Sequence, residues 1–281
     1  MIIEYNELGR LRGANGNIAV RNRERQMSDE MLLIEVNGPV ATLTMNRPDK
    51  RNAMSVALLN AIDGFFTAPP KDVRVVILTG VAGHFCSGLD LAEHVHRSAE
   101  ENLHHSRHWH AVMEKIQFGG LVVVSAMFGA VIGGGLELAA STHVRIAEPS
   151  CIFQLPEGRR GIFVGGGATA RVGRLMGPDR MTEMMLTGRK YNAKDGVTLG
   201  LAQYSVAQGE AMALAQTLAD KIARNAPLSN YMMVQAIARI NDMSQSDGLF
   251  VESLVASVAQ TTPDAHEGLN AFLEKRPPKF R

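Results

Sequence analysis

Two cysteines in 281 residues, Cys86 and Cys151, are too few for a disulfide framework and are not in CxxC spacing. That fits a reducing compartment and makes the cytoplasm the expected location. Long apolar runs are also missing. Even Leu121 to Gly135 falls short of the roughly 20 residues a membrane span needs, and it is broken by Ser125 and by glycines, so no membrane crossing is expected. Charge of one sign is scarce as well: 29 Lys and Arg against 28 Asp and Glu leave a formal net charge of +1. Nucleic-acid binding draws on a broad basic field that this balance does not provide. Small molecules and sister subunits are the expected partners. Missing motifs narrow the chemistry further. GxxxxGK[ST] and GxGxxG loops for nucleotide phosphates, HExxH for zinc, and the GxSxG esterase elbow are all absent, Ser87 standing instead in FCSGL. There is no low-complexity tract and no solenoid repeat.

What is present suits a globular, soluble protein, because 46% hydrophobic and 20% charged residues over this length can bury a core without staples. Residues 1–26 are polar and carry Arg10, Arg12, Arg21, Arg23 and Arg25 without an apolar period, so they read as an arm outside the fold. Glu4, Glu7 and Glu24 argue against an organellar transit peptide, and Met27 offers an alternative start. The expected organisation is a polar extension over 1–30, an α/β core over 31–208 and a helical region over 209–281.

Within the core, branched apolar residues on either side of Asn37-Gly38 predict a hairpin. Ser55 is placed to cap a helix through Phe66, and Val73 to Leu78 predicts a buried strand. GVAGHFCSGLDL then reads as a glycine-rich turn feeding a helix near Leu89, with Asp90 capping or orienting it. Strand, glycine turn and helix recur in VVVSAM and GAVIGGGLELAA, and Val144 to Ala147 predicts a further short strand. Such alternation indicates an α/β fold with buried parallel strands. Seven helices are predicted beyond Gly167, and Pro277 and Pro278 stop the last one.

The chemistry concentrates between Gly129 and Gly167. Glu137 and Glu157 each sit in a glycine-flanked setting, suited to acid and base work. Gly133, Gly134 and Gly135 leave backbone amides bare where a helix starts, an arrangement that can stabilise an anion. Taken with Cys86-Ser87-Gly88 after an earlier strand, two turns can aim two N–H groups at one oxygen. Seven of the nine histidines lie between His84 and His110. His104 and His108 stand one helical turn apart, but no third ligand is evident and no metal is expected. Some of these histidines, with Trp109 and Met113, are expected to line a pocket wall.

From Leu32 to the C-terminus the chain resembles the crotonase, or enoyl-CoA hydratase/isomerase, superfamily. The resemblance is carried in order by MNRPDKRNAMS at Met45 to Ser55, FCSGLDL at Phe85 to Leu91, GAVIGGGLELA at Gly129 to Ala139 and QLPEGRRGIFVGGG at Gln154 to Gly167. It continues through LTGRKYNAKDGVTLGL at Leu186 to Leu201 and AFLEKRPPKF at Ala271 to Phe280. The resemblance implies a spiral of repeated β-β-α units, a C-terminal helical trimerisation region, and homotrimers or homohexamers. It also implies an acyl-coenzyme A thioester substrate, with the thioester oxygen between the N–H groups of Ser87 and Gly134. Glu137 and Glu157 match the two glutamates that hold water in the hydratases. Arg47, Lys50, Arg51 and Ala53 match positions that cradle coenzyme A, with Phe272 and Lys275 reaching a neighbouring subunit's coenzyme A. The implied activity is reversible syn hydration of a trans-2-enoyl-CoA in fatty acid or aromatic acid degradation. Coenzyme A enters only as part of the substrate, and no further cofactor is expected. The alternatives are a hydratase-lyase releasing an aromatic aldehyde, whose known members lack a carboxylate at the position of Glu137, an isomerase using Glu157 alone, or an acyl-CoA- or RNA-binding protein on the same scaffold. Val164, where many relatives carry proline, and the Arg159-Arg160 pair depart from the family pattern and bear on the acyl pocket.

Overall fold

The structure, a computed structural model, describes residues 30–280; the expectations for residues 1–26 lie outside them. The hairpin forms as expected. Strands β1 (Leu32–Asn37) and β2 (Val40–Met45) pair antiparallel, and Gly38 takes a positive φ of 55° at the turn. Helix α1 (Val56–Thr67) is capped by Ser55, whose hydroxyl accepts from the Leu58 N–H at 3.2 Å. Buried Leu58, Leu59, Ile62, Phe65 and Phe66 form its apolar stripe at helical spacing.

Strand β3 (Val75–Gly80) follows, two residues later than its predicted start. The helix expected near Leu89 does not form there. Leu89 is extended and bridges Met54 in parallel, and only a short 3-10 turn, Leu91–Glu93, precedes helix α2 (Ala99–Phe118). The helix starts where it can be capped: Ser98 and Glu101 close a reciprocal capping box. Strands β4 (Val122–Met127) and β5 (Ala130–Ile132), helix α3 (Gly134–Ala140), and strands β6 (Val144–Ala147) and β7 (Ile152–Gln154) come next. Helices α4 (Ala168–Met176), α5 (Pro178–Thr187) and α6 (Ala193–Thr198) lead to β8 (Tyr204–Ser205). The chain ends in α7 (Ala211–Ala223), α8 (Pro227–Ile240), α9 (Gln245–Gln260) and α10 (Pro263–Leu273).

The main sheet runs β1-β2-β3-β4-β6-β8, parallel except for the β1–β2 hairpin. Its central strands β3 and β4 are buried throughout, so alternate residues serve two different cores. Val75 and Ile77 face one cluster, which Ala211, Ala215, Ala219 and Ala223 of α7 complete. Small side chains every fourth residue let that helix lie close on the sheet. Val76 and Leu78 face the larger cluster with α1, α2 and α3. A second layer is built from bridges: Cys86 pairs with Val131 of β5, β5 pairs with β7, and Phe153 of β7 pairs with Tyr191. These strand-strand-helix turns form the crotonase-like α/β spiral, with helices at the C-terminus. No helix among the described residues is long and apolar enough to cross a membrane.

One buried side chain helps to hold the loop after β2 to the loop after β3. Fully buried Asn52 donates through Nδ2 to the Val81 and His84 carbonyls at 3.0 and 2.7 Å, and its Oδ1 accepts from the Arg47 N–H at 3.0 Å. Its φ of 57° is tolerated by Asn better than by most residues. Asn52→Ala should therefore strand buried backbone groups and lower stability by about 2–4 kcal/mol, read as a fall in the urea midpoint.

Candidate active site

Two buried carboxylates face one crevice between the layers. Glu137 lies in the first turn of α3, a seven-residue helix buried along its whole length. Its Oε1 accepts from the Gly166 N–H at 2.7 Å and the Ala168 N–H at 3.0 Å. Glu157 opens a 3-10 turn, Glu157–Arg160, after Pro156, and its Oε2 is sealed from solvent without a hydrogen-bond partner among the described residues. Both glutamates line a small cavity of about 80 Å³, with Ser87, Leu89, Gly134, Arg160 and Val164 among the other walls. Glycine creates that space. A Cβ on Gly133, whose φ is 54°, would stand 2.8 Å from Glu157 Oε1, and one on Gly166 would stand 2.7 Å from Glu137 Oε2.

Burial pushes the Glu137 carboxyl upward, while the N–H groups of Ala168 and Gly166 and the charge of Arg171 favour its anion. Burial also raises Glu157, to about 7, with repulsion from Glu137 adding to it and its own N–H and Arg160 opposing. Two carboxyls in one water-poor crevice resist ionising together, which is the repulsion that adds to the rise of Glu157. Arg171 is placed by Gln117, whose Oε1 accepts from its Nε at 2.7 Å, and by the Gly166 carbonyl at 3.3 Å.

The backbone corrects the expected pair of N–H donors. The Ser87 N–H donates to the Arg51 carbonyl at 3.0 Å and is consumed there. Leu89 takes its place. Met54 donates to the Gly88 carbonyl and accepts from Asp90, so the parallel bridge turns the intervening Leu89 N–H away from Met54. That nitrogen lies 3.3 Å from where a Cβ on Gly134 would stand. Neither the Leu89 N–H nor the Gly134 N–H donates to an acceptor among the described residues. Gly88, at φ 99°, makes the reversal possible, and a Cβ there would strike the Ile132 carbonyl at 2.7 Å.

A family model described as enoyl-CoA hydratase/isomerase matches residues 35–281. The chain belongs to this family. Among its relatives, the mitochondrial enoyl-CoA hydratase domain-containing protein 2 of Bos taurus is 33% identical over 96% of this chain and 92% of its own. The 2,3-dehydroadipyl-CoA hydratase of Escherichia coli is 31% identical over 89% of this chain and 98% of its own. A solved structure from Rhodopseudomonas palustris, assigned as an enoyl-CoA hydratase, superposes with a TM-score of 0.85 at 46% identity, covering 87% of this chain and 95% of that one.

The remaining residues that the family resemblance singled out fall in several places. Arg47 is engaged inside the fold: its guanidinium pairs with Asp90 at 2.8 Å and reaches the Ala53 carbonyl. Asp90 accordingly pairs with Arg47 and makes no side-chain cap. Lys50 and Arg51 are exposed, and their carbonyls receive the Ser87 hydroxyl and N–H, which places them beside the small cavity. Ala53 is buried. Phe272, 81% exposed, and Lys275 lie at the end of α10, outside the residues lining either cavity. Of the histidines, His94 and His105 line a second cavity of about 360 Å³, which shares Leu89, Leu91, Glu137, Ile162, Phe163 and Gly165 with the first. Trp109 lines it too, but Met113 is fully buried in the core. His108 bonds to Asn60 at 2.9 Å, and His104 is exposed beside Glu100. No group of three or more potential metal ligands occurs among the described residues. Arg159 donates to the Thr187 carbonyl, leaving Arg160 alone of that pair in the wall. Sequence reasoning missed Leu89, Gly166, Ala168 and Arg171. The last three follow the same signal it used elsewhere, a glycine run opening a helix.

Glu157 keeps in the fold a proton that an ordinary carboxyl, at 4.5, gives up. Its charge therefore costs stability as pH rises from about 4.5 through about 7. Glu157→Gln should gain on the parent across that window, seen as a difference in urea midpoint that grows between about pH 5 and about pH 8.

Proposed function

We propose that this protein is an enoyl-CoA hydratase, adding water reversibly and syn across the double bond of a trans-2-enoyl-CoA to give a 3-hydroxyacyl-CoA. The observation that carries the reading is the pair of buried carboxylates on one small cavity, beside two N–H groups without acceptors among the described residues. The thioester oxygen sits between the Leu89 and Gly134 N–H groups, which stabilise the enolate in a water-poor site. Glu137, its carboxylate held by Gly166 and Ala168, takes a proton from water as the oxygen attacks Cβ. Glu157, whose carboxyl is raised to about 7, delivers its proton to Cα. The proton gained by Glu137 replaces the one lost by Glu157, so the pair is restored through exchange between them.

Lys50 and Arg51 are the basic groups assigned to the coenzyme A phosphates, since Arg47 is already paired with Asp90. In this reading Arg47 fixes the loop that carries them, and Ala53 holds Arg47 in turn through its carbonyl. The reaction is a hydro-lyase step that draws on no resident cofactor. Homotrimers or homohexamers are proposed as the assembly. Ile237, Leu249, Phe250, Leu254, Phe272 and Leu273 on α8 to α10 are each more than half exposed, apolar side chains that a sister subunit would cover. Phe272 and Lys275 would then approach a neighbour's coenzyme A. Two buried free thiols suit a reducing compartment such as the cytoplasm.

Hydration of crotonyl-CoA, followed as loss of the enoyl-thioester ultraviolet absorbance, tests the activity. Glu137→Gln and Glu157→Gln should each cut turnover by roughly 10²-fold or more with thioester binding nearly unchanged. Unchanged turnover in either variant removes that residue from the mechanism. In sedimentation the protein should run as a trimer or hexamer, and a monomer would refute the assembly.

A further inference from the structure

The larger cavity has one polar wall. Leu89, Leu91, Trp109, Ile162 and Phe163 make most of it apolar, while His94, Asn102 and His105 face it from the segment before α2 and from α2 itself. The two imidazole rings stack edge to face, with centroids 4.6 Å apart, and His105 also packs against Trp109 at 6.2 Å. Three polar atoms in this cluster lack a hydrogen-bond partner among the described residues although solvent is shut out: Nε2 of His94, Nε2 of His105 and Nη1 of Arg97. Such groups are rarely left so, because an unmet buried donor or acceptor has given up its hydrogen bonds to water without replacing them.

Burial, with the Arg97 charge, favours the neutral form of both rings. Burial and the Arg97 guanidinium lower His94, with Glu93 and Asp90 opposing, and burial, Arg97, His94 and His108 push His105 down to about 4. Glu93 is itself engaged by the Val56 N–H at 2.8 Å, and Asp90 by Arg47. A neutral imidazole has one N–H to donate and one nitrogen to accept, and a ring turns readily about its last torsion. Either ring can therefore present a nitrogen to the cavity it borders.

Resting on the hydratase reading above, we propose that His94 and His105 select acyl groups carrying a hydrogen-bonding oxygen away from the reacting carbons. The shared chemistry is an oxygen acceptor, supplied by a hydroxyl or a carboxylate, and the positive charge of Arg97, felt by both rings, favours the charged form. The apolar walls hold the carbon skeleton and Glu137 stands where the cavity joins the smaller one, so the oxygen lies at the end distant from the thioester.

The test compares kcat/KM for three enoyl-CoA thioesters of equal chain length, ending in methyl, hydroxyl and carboxylate. The parent should favour at least one oxygenated member over the methyl one by roughly 10-fold or more, because a site built to bond an oxygen discriminates against its absence. Which member is favoured identifies the source of the oxygen. His105→Phe and His94→Phe, which keep ring bulk and remove the nitrogens, should bring that ratio towards one, and His105→Gln should retain most of it. Equal use of all three by the parent, as when water alone serves these atoms, overturns the proposal, and so does a ratio unmoved in both Phe variants. Failure to hydrate any of the three overturns the hydratase reading instead, so the two failures are distinct.

Discussion

Keeping two carboxylates inside a water-poor crevice is the constraint on which the rest of this structure depends. A buried anion without partners is too costly to hold, so Glu137 is supplied with the N–H groups of Gly166 and Ala168 and with the nearby charge of Arg171. Among the described residues Glu157 has no such cradle for its Oε2, and it meets the repulsion of Glu137. Its carboxyl rises to about 7 as a result. Burial raises both carboxyls, and their unequal surroundings separate two chemically alike groups: N–H groups and a guanidinium oppose the rise at Glu137, while the charge of Glu137 adds to it at Glu157.

The same crevice dictates where glycine stands. Side chains on Gly133 or Gly166 would occupy space that the carboxylate oxygens fill, and one on Gly134 would meet Trp109 at 2.7 Å. Gly88 serves a different end. Its positive φ reverses the chain so that the next N–H, on Leu89, faces Gly134 rather than Met54. The loops bearing these residues are themselves tied down by Asn52 and by the Arg47–Asp90 pair. Rigid support below the crevice is what lets backbone amides remain aimed at a point without an acceptor of their own.

Much of the fold was legible in the chain. The hairpin at Asn37-Gly38, the Ser55 cap, strand β6 and helix α4 follow from patterns of a few residues, because turn chemistry, capping and apolar period are local. The helix expected near Leu89 failed for a nonlocal reason: Met54, 35 positions earlier, supplies the carbonyl and N–H that keep this segment extended. Strands β7 and β8 are three and two residues long, too short for any alternation to register. In the site, both glutamates and Gly134 were marked by their motifs, whereas the Arg47–Asp90 pair was not legible, because a basic loop residue looks the same whether it meets phosphate or a half-buried carboxylate.

By itself, then, the sequence determined which chemistry the chain carries: two carboxylates, a glycine run for each, and an α/β frame of buried parallel strands. It could do so because those signals lie within a few residues of one another. Only the tertiary structure decided which amides are free, that Leu89 rather than Ser87 faces Gly134, and which histidines border the larger cavity. Those questions turn on the direction of an N–H or the position of a ring, and both depend on residues far apart in the chain that the fold brings together, as it brings Met54 and Arg51 to the loop after β3.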